Sequence, residues 1–283
     1  MLNSKKILVC IPTLNAEPQL DMLLGGLKGV DVLVVDSSSV DKTIDIARSH
    51  NVSAKTIHRD GFNHATTRNS VLEYDDYDFY CFLTQDALPK GDTFFADFLV
   101  CFEDKDVVVA YARQLPREDS DPIERFARTK NYPEQSSIVS KSDIQNMGIR
   151  AFFCSNSCAM YRADYFRQVG GFTDGLLRNE DMEFAARAIL NGKKKAYCAN
   201  VHVEHSHHTD ILEIAKRYYE IGKFFKQNKW ILEAATSSKS VESEGLKHVF
   251  AELLYIMRNA PAYIPKSIIC IIVKFIAYKV GLR

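Results

Sequence analysis

Three short apolar runs, rich in β-branched and aromatic residues, recur in the first ninety positions, and each ends abruptly. Residues 6–11 (KILVCI) break at Pro12-Thr13. Residues 31–36 (DVLVVD) end on Asp36, and residues 79–83 (FYCFL) run into Thr84-Gln85-Asp86, with Pro89 and Gly91 beyond. Runs of this kind read as buried strands. Between them, residues 16–27, 40–50 and 65–74 carry helical patterns, and residues 53–58 supply another short strand. Strands alternating with helices at this spacing predict a parallel, doubly wound α/β sheet. Right-handed crossovers then bring Pro12-Thr13, Asp36 and Asp86 to one edge, where open α/β sheets hold ligands.

The second half is less regular. Residues 107–113 and 152–161 read as strands, separated by a long polar loop with Pro116, Pro122 and Pro133, and loops of that length are usually functional. Residues 180–190 read as a helix, and 195–203 as a strand running into His202, His205, His207 and His208. From residue 211 the pattern is helical, with a Ser-rich break at 236–243. The expected organisation is a sheet domain over 1–210, with halves of about 1–115 and 116–210, followed by a helical region over 211–283. Its tail, 260–283, is strongly apolar but punctuated by Lys266, Lys274, Lys279 and Arg283. A membrane span needs roughly 20 apolar residues, so this tail is read as a helix lying in a membrane interface, its lysines reaching for headgroups. The alternative is a helix packed on the domain or on a second copy in a homo-oligomer.

Lys+Arg 36 balances Asp+Glu 36, so no basic field argues for nucleic acid. The seven cysteines lie mostly inside apolar runs and read as buried free thiols of a reducing cytoplasm. Cys154 and Cys158 lack the second pair a zinc site would need. Residues 1–6 have no signal-peptide pattern, which gives a cytoplasmic expectation.

Four places carry candidate chemistry. Asp36 can accept from a nucleotide base N–H or a ribose hydroxyl, while Ser39 after it reads as a helix N-cap. Residues 58–64 (HRDGFNH) precede a helix whose start could receive phosphate oxygens, and Arg68 one turn in is either a diphosphate contact or a solvated cation. Glu180-Asp181 opens a helix, as dipole complement or as a base kept ionised. The four histidines suggest a metal, a phosphate or proton handling, with His205 and His207 on one face of an extended segment. These histidines alone lack the partners of a zinc site.

Taken in order, Ile11-Pro12-Thr13-Leu14-Asn15, Val34-Val35-Asp36-Ser37-Ser38-Ser39, Asp86, Gly170-Gly171-Phe172, Glu180-Asp181 and His205 resemble family 2 glycosyltransferases. The segments 62–69 (FNHATTRN) and 82–87 (FLTQDA) narrow the resemblance to bacterial rhamnosyltransferases of that family. It covers about residues 5–210 and leaves the tail out. The resemblance implies a GT-A fold: a Rossmann-like, mostly parallel central sheet flanked by helices, here with a C-terminal helical extension. It implies an inverting transfer from a nucleotide sugar bound in the first half to an acceptor bound in the second. Pro12, Thr13 and Asn15 would line the nucleotide pocket, Asp36 and Ser38 would hold base or ribose, and Arg68 would approach the diphosphate. Gln85 and Asp86 would meet the donor, with Asp86 and His205 holding Mg²⁺ or Mn²⁺, and a histidine ligand tilts the choice to Mn²⁺. Asp181 would be the catalytic base, Glu180 would contact acceptor hydroxyls, and Ser155 and Asn156 belong to a candidate acceptor surface.

Thr84 stands where the family's Asp-x-Asp motif has its first acid, so metal binding is expected to lean on the donor's own diphosphate. The narrower resemblance implies dTDP-L-rhamnose as donor and a polyprenyl-diphosphate-linked O-antigen or capsule glycan as acceptor. The enzyme would then sit peripherally at the inner face of the membrane. A UDP- or GDP-sugar donor is the alternative within the fold, and a catalytically silent, membrane-attached binding module the alternative outside enzymes. A sugar nucleotidyltransferase would want a Gly-rich phosphate loop after the first strand, and residues 12–16 supply none.

Overall fold

The computed structural model describes residues 5–206, 210–235 and 241–283. Its strands are β1 (Ile7–Thr13), β2 (Asp31–Asp36), β3 (Ser53–Thr56), β4 (Phe79–Leu83), β5 (Leu88–Lys90), β6 (Val107–Leu115), β7 (Ser137–Val139), β8 (Cys158–Arg162) and β9 (Lys194–Glu204). They form one sheet in the order β3-β2-β1-β4-β8-β6-β9-β5, with β7 also on β9. The pairs β3–β2–β1–β4 are all parallel, as the alternating pattern predicts. Beyond β4 the sheet becomes mixed: β8 runs antiparallel between β4 and β6, and β5 and β7 run antiparallel on β9.

The helices are α1 (Glu17–Gly26), α2 (Thr43–Ser49), α3 (His64–Asn69), α4 (Phe94–Val100), α5 (Pro122–Asn131), α6 (Ile144–Met147), α7 (Ala163–Gln168), α8 (Glu180–Leu190), α9 (Ile211–Gln227), α10 (Lys229–Ala234), α11 (Val241–Asn259) and α12 (Ile264–Gly281). Strand alternation builds two cores, as it must when both sheet faces are covered. Ile7, Val9, Ile11, Cys81 and Leu83 face α1 and α4, while Leu8, Cys10, Tyr80 and Phe82 face the other way. On that second side Phe82, Tyr161, Phe166, Phe172 and Phe184 interlock ring against ring. Truncating one such ring to Ala costs about 3–5 kcal/mol, so this cluster fixes α7 and α8 firmly beneath the site.

Several expectations need correction. The polar stretch after β6 is no long loop but holds α5, β7 and α6. Residues 152–161 are not one strand, because the polar Ser155-Asn156-Ser157 turn separates a 3₁₀ segment ending at Phe152 from β8. The helix read over 65–74 ends at Asn69 and continues as 3₁₀ to Glu73. Ser39 does not cap α2, which starts only at Thr43. Cys101 and Cys198, brought together where α4 packs on β9, are joined in a disulfide, while Cys10, Cys81, Cys154, Cys158 and Cys270 are free and buried.

The tail is a helix, and it lies against α9. A Cβ on Gly281 would come within 2.1 Å of Tyr219 O, and one on Gly222 within 2.4 Å of Tyr278 O. The two backbones therefore meet at this glycine pair. Among the described residues no helix is long and apolar enough to cross a membrane.

Candidate active site

The ends of β1, β2 and β4 form the first wall of the site. Register places Thr13 opposite Asp36, and the Thr13 hydroxyl donates to Asp36 Oδ1 at 3.0 Å. Asp36 is 1% exposed and also accepts from Ser39 N at 2.9 Å and Ser39 Oγ at 2.5 Å. The loops lock together around it. Asn15, at φ 50°, donates its N–H to Ser39 Oγ and accepts from Val40 N, and Ser38, at φ 60°, donates to Ile57 O. Gln85 is tied to the first loop by two bonds, accepting from Leu14 N and donating to Leu14 O. Thr13, Asn15, Asp36, Ser38 and Gln85 thus belong to one hydrogen-bonded rim, and Pro12 directly precedes it in β1.

Arg68 stands apart from that rim. It is 3% exposed, and its guanidinium donates to Glu180 Oε1 at 2.9 Å and to His64 Nδ1 at 3.1 Å. The start of α3 is likewise occupied, because Asn63 Oδ1 accepts from Ala65 N and Thr66 N.

The second wall carries Asp86 and His205. The Asp86 carbonyl accepts from Arg117, and its Oδ1 lies 3.3 Å from His205 Nε2. His205 is 2% exposed, and its Nδ1 lies 2.9 Å from Gln114 Oε1. An amide oxygen only accepts, so Nδ1 carries the proton and the Nε2 lone pair faces Asp86. Burial holds His205 below its ordinary pKa, against the raising effect of Asp86 and with the help of Arg128 and Arg117. A neutral imidazole nitrogen facing a carboxylate suits a divalent cation. Thr84 Oγ1 beside them is buried with no hydrogen-bond partner among the described residues. The residues fit half a coordination shell, since no group of three or more acidic, His or Cys ligands exists among the described residues. His202 instead pairs in the sheet with Lys90, and His207 and His208 lie outside the described residues.

Gln114, at the end of β6, is the residue that sequence reasoning missed. Its Oε1 receives His205 and Arg128, and its Nε2 donates to Ser155 Oγ at 2.9 Å. The next residue, Asn156, gives its backbone N–H to Asp181 Oδ2 at 2.9 Å. The Asp86–His205 pair and Asp181 are therefore linked through Gln114 and two adjacent residues. Asn156 also donates its side-chain amide to Glu180 Oε1 and accepts from the Tyr161 hydroxyl.

Asp181 and Glu180 open α8 after Asn179, whose φ of 63° turns the chain into the helix. Glu180 is 4% exposed whereas Asp181 is partly exposed, so only Asp181 can meet a molecule in the cleft. Burial and the Glu180 carboxylate push Asp181 up to about 7, against the N–H groups of Asn156 and Met182 and the charge of Arg68. For Glu180 burial acts upward, but Arg68 and the Asn156 amide outweigh it and hold the group below its usual value. Adjacent carboxylates driven apart in this way give one fixed anion and one group able to exchange protons near neutrality.

The model of the glycosyl transferase family 2 domain matches residues 8–170. The chain is 38% identical over 251 residues to the O-antigen chain rhamnosyltransferase WbaN of Salmonella anatum, covering 88% of this chain and 79% of that protein. It is 35% identical over 283 residues to RfbN of Salmonella typhimurium, also an O-antigen chain rhamnosyltransferase, covering 98% and 89%. In fold it is similar to the mannosyltransferase PcManGT from Pyrobaculum calidifontis, solved with GDP-Man and Mn²⁺, at a TM-score of 0.64 and 14% identity over 97% of this chain and 87% of that one. It is also similar to Staphylococcus aureus TarS 1–349, at a TM-score of 0.56 and 15% identity over 98% and 90%. The fold is GT-A, and the chain belongs to glycosyl transferase family 2.

Proposed function

We propose that this glycosyltransferase moves L-rhamnose from dTDP-L-rhamnose to a hydroxyl of a polyprenyl-diphosphate-linked glycan, with inversion at the anomeric carbon. The observation that carries the reading is Asp181, a partly exposed carboxylate pushed up to about 7 at the head of a firmly packed helix. The two O-antigen chain rhamnosyltransferases it resembles along most of its length favour the sugar and the acceptor class. Asn15 and Ser38, exposed on the rim, meet the nucleoside, while the buried Thr13–Asp36 pair fixes the rim from within and Pro12 and Gln85 shape it. Ser155 lines the acceptor side, while Asn156, 3% exposed and bonded to Glu180, Tyr161 and Asp181, supports that wall from within, and Glu180 acts from behind as a fixed anion. Asp181 takes the acceptor hydroxyl proton as that oxygen bonds to the anomeric carbon. The bond to the diphosphate breaks, and its electron pair leaves on a diphosphate oxygen. A single base on the face opposite the leaving group gives inversion. Mg²⁺ or Mn²⁺, held by Asp86 and His205 with diphosphate oxygens, would neutralise the leaving group.

The test is transfer of labelled rhamnose from dTDP-rhamnose to the extracted lipid-linked glycan, with Mn²⁺ or Mg²⁺, run beside UDP- and GDP-sugars. Wild-type protein should form a product of inverted anomeric configuration. Retention of configuration, or equal transfer from a UDP- or GDP-sugar, would sink the reading.

A peripheral position at the membrane is part of the same proposal. The face of α12 turned away from α9 presents Ile268, Ile269, Ile272, Phe275, Ile276 and Val280, each 43–62% exposed, beside lysines 266 and 279. An apolar stripe flanked by cations suits the interface of an anionic bilayer. Deleting the tail would also strip α9, so the cleaner test changes Ile269, Ile272, Phe275 and Ile276 to Ser. Co-flotation with phosphatidylglycerol vesicles should be lost, and unchanged co-flotation would end the idea.

A further inference from the structure

We propose that Arg68 is a positioning residue that ties α3 to the base-bearing helix α8, rather than a ligand of the donor diphosphate. The inference rests on Asp181 being the base. Arg68 and Glu180 are 112 positions apart, with side chains 4% and 5% exposed and 2.9 Å between Nη1 and Oε1. The same guanidinium nitrogen also meets His64 Nδ1 and, at 3.4 Å, the His64 carbonyl. His64, pushed down to about 4 by burial and by Arg68, stays neutral and so accepts this bond.

The rest of α3 points to the same job. Asn69 Nδ2 donates to Phe172 O at 2.8 Å, and its Oδ1 accepts from Phe172 N at 2.9 Å. Thr66 Oγ1 lies 3.3 Å from Asp174 Oδ1. Gly171, at φ +76°, leaves the space this needs, since a Cβ there would fall 2.5 Å from Asn69 Oδ1. The segment from Thr66 to Asn69 therefore grips both the turn leading into α8 and the first residue of α8. Arg68 acts through Glu180, the neighbour of Asp181, and Glu180 in turn is held by Asn156, whose backbone orients Asp181. A misplaced reacting group of about 1 Å costs on the order of 100-fold in rate.

The experiment compares R68M, E180Q, R68M/E180Q and D181N in the full chain. It measures kcat for rhamnose transfer and the Kd of dTDP with Mn²⁺ by calorimetry, with folding checked by thermal unfolding. A lone R68M leaves Glu180 as a buried unpaired charge and can unfold the protein; the double variant removes both charges and keeps the test open. R68M and E180Q should each lower kcat by about 100-fold, leave the dTDP Kd within about threefold, and lose no more together than the worse one alone. A tenfold rise in Kd with kcat retained, or losses that multiply in the double variant, would overturn the tie while leaving D181N inactive. Wild-type turnover by D181N would remove the base itself, and the tie with it.

Discussion

Asp36 and Asp181 are both aspartates at the same edge of the sheet, and their surroundings could hardly be less alike. Asp36 is sealed from solvent and meets three donors, the hydroxyls of Thr13 and Ser39 and the Ser39 N–H. Asp181 is partly open, receives two backbone N–H groups and sits against a second carboxylate that is already ionised by Arg68. A carboxylate saturated with donors is a fixed acceptor array, suited to shaping a binding rim. One short of donors and next to a like charge exchanges its proton near neutrality. Residue type and topological place do not separate the two roles; the hydrogen-bond count and the neighbouring charge do.

The strongest way to break this comparison is to neutralise each group in turn. Asp181→Asn should lower kcat by about 10³-fold while leaving the Kd for dTDP and Mn²⁺ within about twofold. Asp36→Ala should do the reverse, weakening dTDP binding by about 30-fold for the loss of roughly 2 kcal/mol of rim hydrogen bonds, with little change in kcat at saturation. Calorimetry paired with single-turnover transfer measures both. If the two variants showed the same split between binding and turnover, the contrast would be wrong.

The cation comes next. Removing metal with EDTA should stop transfer, and His205→Ala should raise the Mn²⁺ concentration for half-maximal rate by about 10–100-fold. Gln114→Ala, which leaves His205 in place but frees its ring, should raise it by about tenfold. A manganese titration that is unchanged in His205→Ala would remove His205 from the site.

The pH dependence sharpens the comparison further. In the proposed mechanism the base must be ionised to act, so kcat/KM should fall about tenfold per pH unit below the pKa of Asp181, which is pushed up to about 7. Burial comes first among its causes and Glu180 second, so Glu180→Gln removes a raising effect and moves the acid limb to lower pH. The groups facing Asp181 are Glu180 on its own helix, Arg68 on α3, and Cys154, Tyr132 and Tyr161 from the strands and helices beneath. Both tyrosines and Cys154 are raised by burial, so they stay neutral in this range. An acid limb that stays put in Glu180→Gln would mean that another group controls it.

Much of this was legible in the sequence, for a definite reason. Asp36, Asp86 and Asp181 each end or begin a strongly patterned element, so topology alone carries them to one edge. Arg68 was not legible in the same way, because its partner lies 112 positions away and its charge looks like any helix-face cation until α8 closes over it. Gln114 leaves no signal at all. It is 2% exposed at the end of an apolar strand, and its importance exists only because His205 and Ser155 arrive on either side. The turn at Ser155-Asn156-Ser157 reads as strand in the sequence because Phe152 and Cys154 are apolar, yet they are buried by packing and not by a ladder.

The smallest predicted effect falls on the base side alone. Ala at position 171 would have to adopt φ +76° and place its Cβ 2.5 Å from Asn69 Oδ1. The side chain of Asn69 cannot retreat without giving up the Phe172 N–H it now accepts from. Strain and a lost, partly buried hydrogen bond together cost about 1–3 kcal/mol, or a Tm lower by roughly 2–8 °C for a chain of this size. Because the turn sets the entry of α8, kcat should fall a few-fold. The Asp36 rim touches none of these atoms, so dTDP binding to the folded variant should match wild type. Gly171→Ala with weakened dTDP binding and unchanged kcat would mean that the turn serves the nucleotide side, and that the two aspartates are not independently supported.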